Sequence, residues 1–242
     1  MPRFYLEAEL SPGKTLELPS GVVRHVNVLR LREGEEIVLF NGNGKSYPAV
    51  LQTLSKRSVQ ALVMHEEAAD NESPLDITLI QAVSSGERMD FTLQKSVELG
   101  VKRIIPVLSA RSIVKLDGER AEKRVARWQE IVVSACEQSG RNIVPEVSPL
   151  VGLKEMLQCL PESDVKLLLG LNRARSLKEV ATQPDKIVFM VGPEGGWTTE
   201  EEALAFEAGF QSVLLGKRVL RTETAALAAI AAMQTLWGDF VG

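Results

Sequence analysis

Beyond Pro74 the sequence alternates short apolar runs with longer stretches of helical periodicity, and few folds accept that alternation. The runs LDITLIQAV, RIIPVL, VKLLLGL, KIVFMVG and QSVLLG read as strands. VKLLLGL and KIVFMVG are continuously apolar, as strands covered on both faces are. Between the runs lie ERMDFTLQKSVELG, closed by Gly100, and a stretch from Glu119 to Ser139. In the latter, Val125, Trp128, Val132, Ala135 and Ser139 recur at spacings of three and four, which marks one face of a long helix. An Ala-rich helix, TETAALAAIAAMQTLWGDF, follows the last run. Strands alternating with helices specify an α/β domain with a mostly parallel sheet.

The front of the chain reads differently. GVVRHVNVLRL suits a short helix, and EEIVLF, SYPAVLQTL and SVQALVMH suit strands. NGNG between the first two strands is a strong hairpin signal, because Asn and Gly tolerate positive φ. Its continuation, GNGKS, resembles the end of a phosphate-binding loop. The glycine that such a loop needs five residues earlier is Leu39, so ATP binding is discarded. The acidic stretch EEAADNESP has no apolar periodicity and reads as a linker. Residues 1–70 are therefore expected to form a small barrel or compact sheet, and residues 74–242 the α/β domain.

Composition removes several function classes. Two cysteines, Cys136 and Cys159, are too few for a disulfide framework or a thiolate metal site, and both read as buried thiols. Two histidines, His25 and His65, offer no ligand spacing, so no metal is expected. No apolar run approaches the ~18 residues of a membrane span, and the N-terminus has no secretory pattern. A cytoplasmic protein is expected. The net charge of −4 argues against avid non-specific nucleic-acid binding. Any nucleic-acid contact must come from local basic patches, or from a partner already folded.

The last third of the chain carries three glycine-bearing loops, LLLGLNRARS, VGPEGGW and LLGKRVLRTETA, each directly after an apolar run. In parallel sheets ligands bind where loops leave the C-terminal ends of strands. Glycine lets a ligand approach the backbone closely. The second loop runs into TTEEEALAF, where Thr198 with Glu201, or Thr199 with Glu202, makes a capping box. Three such loops in succession suggest one shared ligand site. The dinucleotide fingerprint is absent, and so is any Ser-His-Asp or Cys-His set. A cofactor held by backbone and apolar side chains, and carrying the reactive group itself, fits this pattern.

VGPEGGWTTEE together with LLGKRVLRTETAALAAIAAMQ resembles the RsmE family of ribosomal RNA methyltransferases, of the knotted SPOUT class. The resemblance extends to QKSVELGVKRIIPVLSARS, RWQEIVVSACEQSGRNIVPEV and HVNVLRLREGEEIVLFNGNG, and so covers nearly the whole chain. It implies a PUA-like N-terminal β-barrel for RNA binding and a C-terminal domain tied in a trefoil knot. It also implies S-adenosyl-L-methionine as cofactor, a homodimer, and methylation of N3 of a uridine in 16S rRNA of the small ribosomal subunit.

Carried over residue by residue, the resemblance makes the three loops the cofactor site. The first contributes Leu169, Gly170 and Leu171. The second contributes Gly192, Pro193, Glu194, Gly195 and Gly196. The third contributes Leu215, Gly216, Leu220, Arg221 and Thr222. Methylation of uridine N3 needs that atom in line with the methyl group, loss of its proton and stabilised charge on the flanking carbonyls. Arg221 is the candidate for the electrostatic role, or else a helix-flanking residue. Glu223 is the candidate proton acceptor, or else a residue placed by the helix macrodipole. Arg3, Arg24, Arg30, Arg32, Arg111 and Arg141 are the expected RNA contacts. Two other readings are a 2′-O-ribose methyltransferase of the same class and a non-catalytic RNA-binding assembly factor. The ribose enzymes typically carry Ser-Leu-Asn where this chain reads RTETAALAAI, which favours the base-methylating branch.

Overall fold

The computed structural model describes residues 1–68, 71–114, 116–170, 174–180 and 183–240. They form two compact units. The first comprises Met1–Glu72 with Cys136–Val144, and the second Ser73–Ala135 with the chain from Pro145 onwards.

The first unit contains β1 (Arg3–Tyr5), β2 (Thr15–Glu17), α1 (Ser20–Val28), β3 (Glu36–Phe40), β4 (Lys45–Leu54), β5 (Val59–Val63) and β6 (Glu67–Ala68). The strands lie in the order β1-β3-β4-β5-β2, with β6 against β4. Every pair is antiparallel except β1 with β3. The NGNG stretch is the β3–β4 turn, with Gly42 and Gly44 at φ +88° and +85°. Alternate residues of β5 (Val59, Ala61, Val63) join Phe4, Val26, Ile37 and Leu39 in a fully enclosed core. The acidic stretch is not a bare linker. Glu67 and Ala68 pair with Ser46 and Lys45, and Glu72 holds Arg141 through an ion pair.

The second unit contains β7 (Asp76–Ala82), α2 (Gly86–Glu98), β8 (Arg103–Leu108), the long helix α3 (Gly118–Ser139), β9 (Glu146–Val147), β10 (Val151–Gly152), α4 (Leu153–Gln158) and β11 (Val165–Leu169). It continues with β12 (Arg175–Ser176), a 3-10 turn at Leu177–Glu179, β13 (Lys186–Val191), α5 (Thr199–Glu207), β14 (Gln211–Leu214) and α6 (Thr222–Trp237). The sheet order is β10-β8-β7-β13-β11-β14-β12, with β9 also on β8, and every pairing is parallel. The strands at Asp76–Ala82, Val165–Leu169 and Lys186–Val191 are those the apolar runs predict. The sequence reading omits β9, β10, β12 and α4, which at two to six residues are too short to carry a period. Cys136 is buried as expected, and burial pushes its thiol up to about 12. Cys159 is exposed, because it follows α4 at the start of a surface connection. Among the described residues, no helix is long and apolar enough to cross a membrane.

α2 and α6 pack together at one buried amide. Gln234 is fully enclosed; it accepts from Ser73 Oγ at 2.8 Å and donates to the Leu99 carbonyl at 2.9 Å. Gly100 ends α2 at φ +90°, and a Cβ there would stand 2.6 Å from Gln234 Nε2 and 3.1 Å from the Ser73 Cβ. Gly100→Ala therefore suffers both backbone strain and a clash with a fixed side chain. Its expected cost is about 1–3 kcal/mol, seen as a lower urea midpoint with an unchanged slope.

Candidate active site

Parallel pairing sets β13, β11 and β14 side by side, so their C-terminal ends finish at one edge. Leu168 lies opposite Met190, and Leu169 opposite Val213. The chain leaving each strand contributes to a cavity of about 660 Å³. Of the expected cofactor residues, its wall holds Leu169 and Gly170 from the first loop and Gly192, Pro193, Glu194, Gly195 and Gly196 from the second. Leu215, Gly216, Leu220, Arg221 and Thr222 come from the third. Leu171 lies outside the described residues.

The second loop is held from both ends. Thr198 caps α5: its N–H donates to Glu201 Oε2 at 2.9 Å, and its hydroxyl accepts from the Glu201 N–H at 3.2 Å. This settles the capping box as Thr198 with Glu201. The other Glu201 oxygen accepts from the Ala110 N–H at 2.7 Å, so the cap also ties down the segment after β8. Next to it, Arg111 Nη1 donates to the carbonyls of Gly195 and Trp197 at 2.9 and 3.1 Å. The fit at Gly195 is close: a Cβ there would stand 3.2 Å from the Arg111 Cβ, so Arg111 would have to shift. Trp197 is buried against Gly192, with its ring nitrogen 3.2 Å from where a Cβ would sit.

Glu194 is fixed by three donors. Its Oε1 accepts from the Ser85 N–H at 3.0 Å, Ser85 Oγ at 2.9 Å and Arg88 Nη1 at 3.2 Å. Ser85 precedes the first turn of α2, so the carboxylate also faces the positive end of a helix. Burial alone would raise the Glu194 carboxyl. The Ser85 and Arg88 hydrogen bonds outweigh it and hold the group below the usual carboxylate range. Its Oε2 is enclosed without a partner among the described residues.

The third loop is tied to the second at the start of α6. The Thr222 hydroxyl donates to the Gly192 carbonyl at 2.6 Å and accepts from Gln81 Nε2 at 3.1 Å. Arg221, the N-cap of α6, is exposed on the cavity wall. Glu223 is not on that wall. A helix turns about 100° per residue, which carries position 223 away from the direction of Thr222. The Glu223 carboxylate is half-buried, with Oε2 enclosed and unpartnered among the described residues.

The cavity wall also includes Arg88, Trp197, Glu202, Arg218 and Val219. Arg88 escapes the sequence reading because it enters from the start of α2, far in sequence from the three loops of the last third that the reading groups into one site. Trp197 is buried and also lines the cleft.

The expected RNA contacts divide. Arg24, Arg30 and Arg32 are exposed on α1 and the turn that follows it, with Arg30 at φ +56°. Arg3 is half-buried: its guanidinium lies 5.1 Å from the Phe40 ring and donates to Asn142 Oδ1 at 2.5 Å. Arg141 is only 3% exposed, and its guanidinium is gripped by Glu72, Nε lying 3.2 and 3.1 Å from the two carboxylate oxygens. Arg141 thus fixes a turn of the first unit and presents no charge outward. Arg111 commits its guanidinium to the glycine loop. Among the described residues, no group of three or more His, Cys, Asp or Glu could hold a metal.

Residues 71–234 match the family profile of the RNA methyltransferase domain, and residues 18–64 that of the RNA methyltransferase PUA domain. An RNA methyltransferase unit behind a PUA unit is the class that this fold and cleft define. A ribosomal RNA small subunit methyltransferase E from Buchnera aphidicola is 32% identical, over 99% of this chain and 95% of that protein. The crystal structure of a ribosomal RNA small subunit methyltransferase E from Neisseria gonorrhoeae, bound to S-adenosyl methionine, is 63% identical. It superimposes with a TM-score of 0.97 over 100% of both chains. A methyltransferase from Legionella pneumophila, also solved with S-adenosyl methionine, is 39% identical with a TM-score of 0.95 over 98% of both chains. The chain belongs to the ribosomal RNA small subunit methyltransferase E family.

Arg111 holds the loop through two carbonyls, so its loss is expected to be local. Arg111→Ala should speed amide hydrogen exchange at Gly195–Trp197 by about tenfold or more while the global unfolding midpoint changes little. Exchange mass spectrometry on the intact protein reads both quantities.

Proposed function

We propose that this protein transfers a methyl group from S-adenosyl-L-methionine to N3 of a specific uridine in the 16S rRNA of the small ribosomal subunit. The observation that carries this reading is the convergence of three glycine-bearing loops on one cleft, in a chain 63% identical to a relative solved with that cofactor. The cleft fits the cofactor. Its volume of about 660 Å³ lies within the ~300–1,000 Å³ of small-molecule sites. Apolar side chains (Leu169, Leu215, Leu220) suit an adenine, and the unpartnered Glu194 Oε2 suits a hydroxyl or ammonium donor. When bound, the cofactor supplies an electrophilic methyl on a sulfonium.

The protein's own part is placement and charge. Arg221 is exposed on the wall beside the third loop, where a permanent positive charge favours the uracil anion formed as N3 loses its proton. Glu194, held ionised by Ser85 and Arg88, adds a fixed negative charge to the cleft, which would favour a cationic cofactor. Glu223 stands off the wall, so the reading gives it no contact with the reacting atoms. Arg24, Arg30 and Arg32 are the RNA-facing cations of the first unit; Arg3 and Arg111 are engaged within their own units.

The reading includes a homodimer and a threaded C-terminal segment. The sheet order supports the threading. β11 and β12 are consecutive in sequence yet flank β14, while β13, which follows β12, lies back on the far side of β11.

The test is methyl transfer from labelled S-adenosyl-L-methionine to small ribosomal subunits lacking the modification, followed by nucleoside analysis. Label in 3-methyluridine is the expected result. Label on ribose, or none, overturns the assignment. Arg221→Ala should lower kcat by about 100-fold or more, with affinity for S-adenosylhomocysteine within a few-fold of the unsubstituted protein. Loss of that affinity instead would make Arg221 a structural member of the loop.

A further inference from the structure

Gln81 is the unexpected residue of β7. From Ile77 to Ala82 every position is buried, and Gln81 is the amide at 0% exposure in that run. It pairs in register with Val191 of β13 and Pro106 of β8, in the centre of the sheet. An amide is costly to enclose unless its hydrogen bonds are made. Only the donor end of Gln81 is used. Nε2 reaches the Ala82 carbonyl at 3.0 Å and the Thr222 hydroxyl at 3.1 Å, while Oε1 has no partner among the described residues.

The direction of these bonds matters. A hydroxyl that accepts from Gln81 must send its own proton elsewhere, and the Thr222 proton goes to the Gly192 carbonyl at 2.6 Å. One chain of hydrogen bonds thus runs from the centre of the sheet, through the first residue of α6, to the first residue of the second loop. Thr222 and Gly192 both line the cleft; Gln81 does not. We propose that Gln81 is a positioning residue that sets, through Thr222, the separation of the second and third loops and so the affinity of the cleft for its ligand. This rests on the cofactor reading given above.

The test uses the full chain and S-adenosylhomocysteine as the calorimetric probe. Gln81→Leu fills the same space without the amide, and Thr222→Val keeps the shape without the hydroxyl. Each is expected to weaken binding about tenfold, and the double variant no further than the weaker single one, because both remove the same link. Thr222→Ser should recover binding relative to Thr222→Val. For Gln81→Leu, which lies off the cleft wall, KM for S-adenosyl-L-methionine should rise in steady state with kcat at saturation little changed. A purely structural Gln81 would lower the melting temperature and leave affinity alone, so unaltered affinity in Gln81→Leu overturns the inference, as do additive losses. Should Gln81→Leu fail to fold, equal affinities of Thr222→Val and Thr222→Ser overturn it. Absence of binding by the unsubstituted protein overturns the ligand assignment and this inference together.

Discussion

The cleft depends on three parallel strands being neighbours. Because β13, β11 and β14 run the same way, whatever follows them emerges at one edge, within reach of whatever follows the others. No long-range device is needed to gather Gly170, the Gly192–Gly196 turn and Leu215–Thr222. What is needed is control over how far each loop stands from the next, and the polar side chains of this region supply it. Thr222 bridges the second and third loops, Arg111 braces the second from the chain after β8, and Glu201 joins its own helix cap to Ala110. Most of these bonds end on main-chain groups. The bridges therefore fix backbone, which is where a site built of glycines has its recognition groups.

Charge in the cleft is arranged with comparable economy. Three arginines, Arg88, Arg218 and Arg221, share the wall with Glu194 and Glu202. Arg88 is paired with Glu194, and both are anchored at the start of α2. Arg221 is the N-cap of α6, on the exposed side of the wall. A half-buried carboxylate and an exposed guanidinium thus put fixed charge of both signs on one wall.

Much of this was legible in the sequence, and for definite reasons. Continuous apolar runs announced β7, β11 and β13, and glycines directly after such runs announced the loops. Those loops could be grouped into one site because parallel strands share an edge. The residues that escaped reading are those whose role depends on a partner far away in sequence. Gln81 looks like one polar residue in a strand until Thr222, at a separation of 141, is seen to accept its proton. Arg111 and Arg141 sit in polar loops and read as surface cations. Only the fold reveals that one faces two carbonyls and the other a carboxylate. Glu223 adjoins Arg221 and Thr222 in sequence but stands off the wall they line, because a helix separates adjacent residues by a large angle.

The first unit draws part of itself from Cys136–Val144, far beyond the acidic stretch that seems to end it. Glu137 accepts from the Tyr5 N–H, Asn142 holds Arg3, and Arg141 holds Glu72. On the ribosome, the chain must therefore grow through most of the second unit's first strands and its longest helix before the first unit can close. Until then, the Tyr5 N–H, Arg3 and Glu72 lack the partners that this segment supplies. The two units are separate as compact bodies, but they are not separable as lengths of nascent chain.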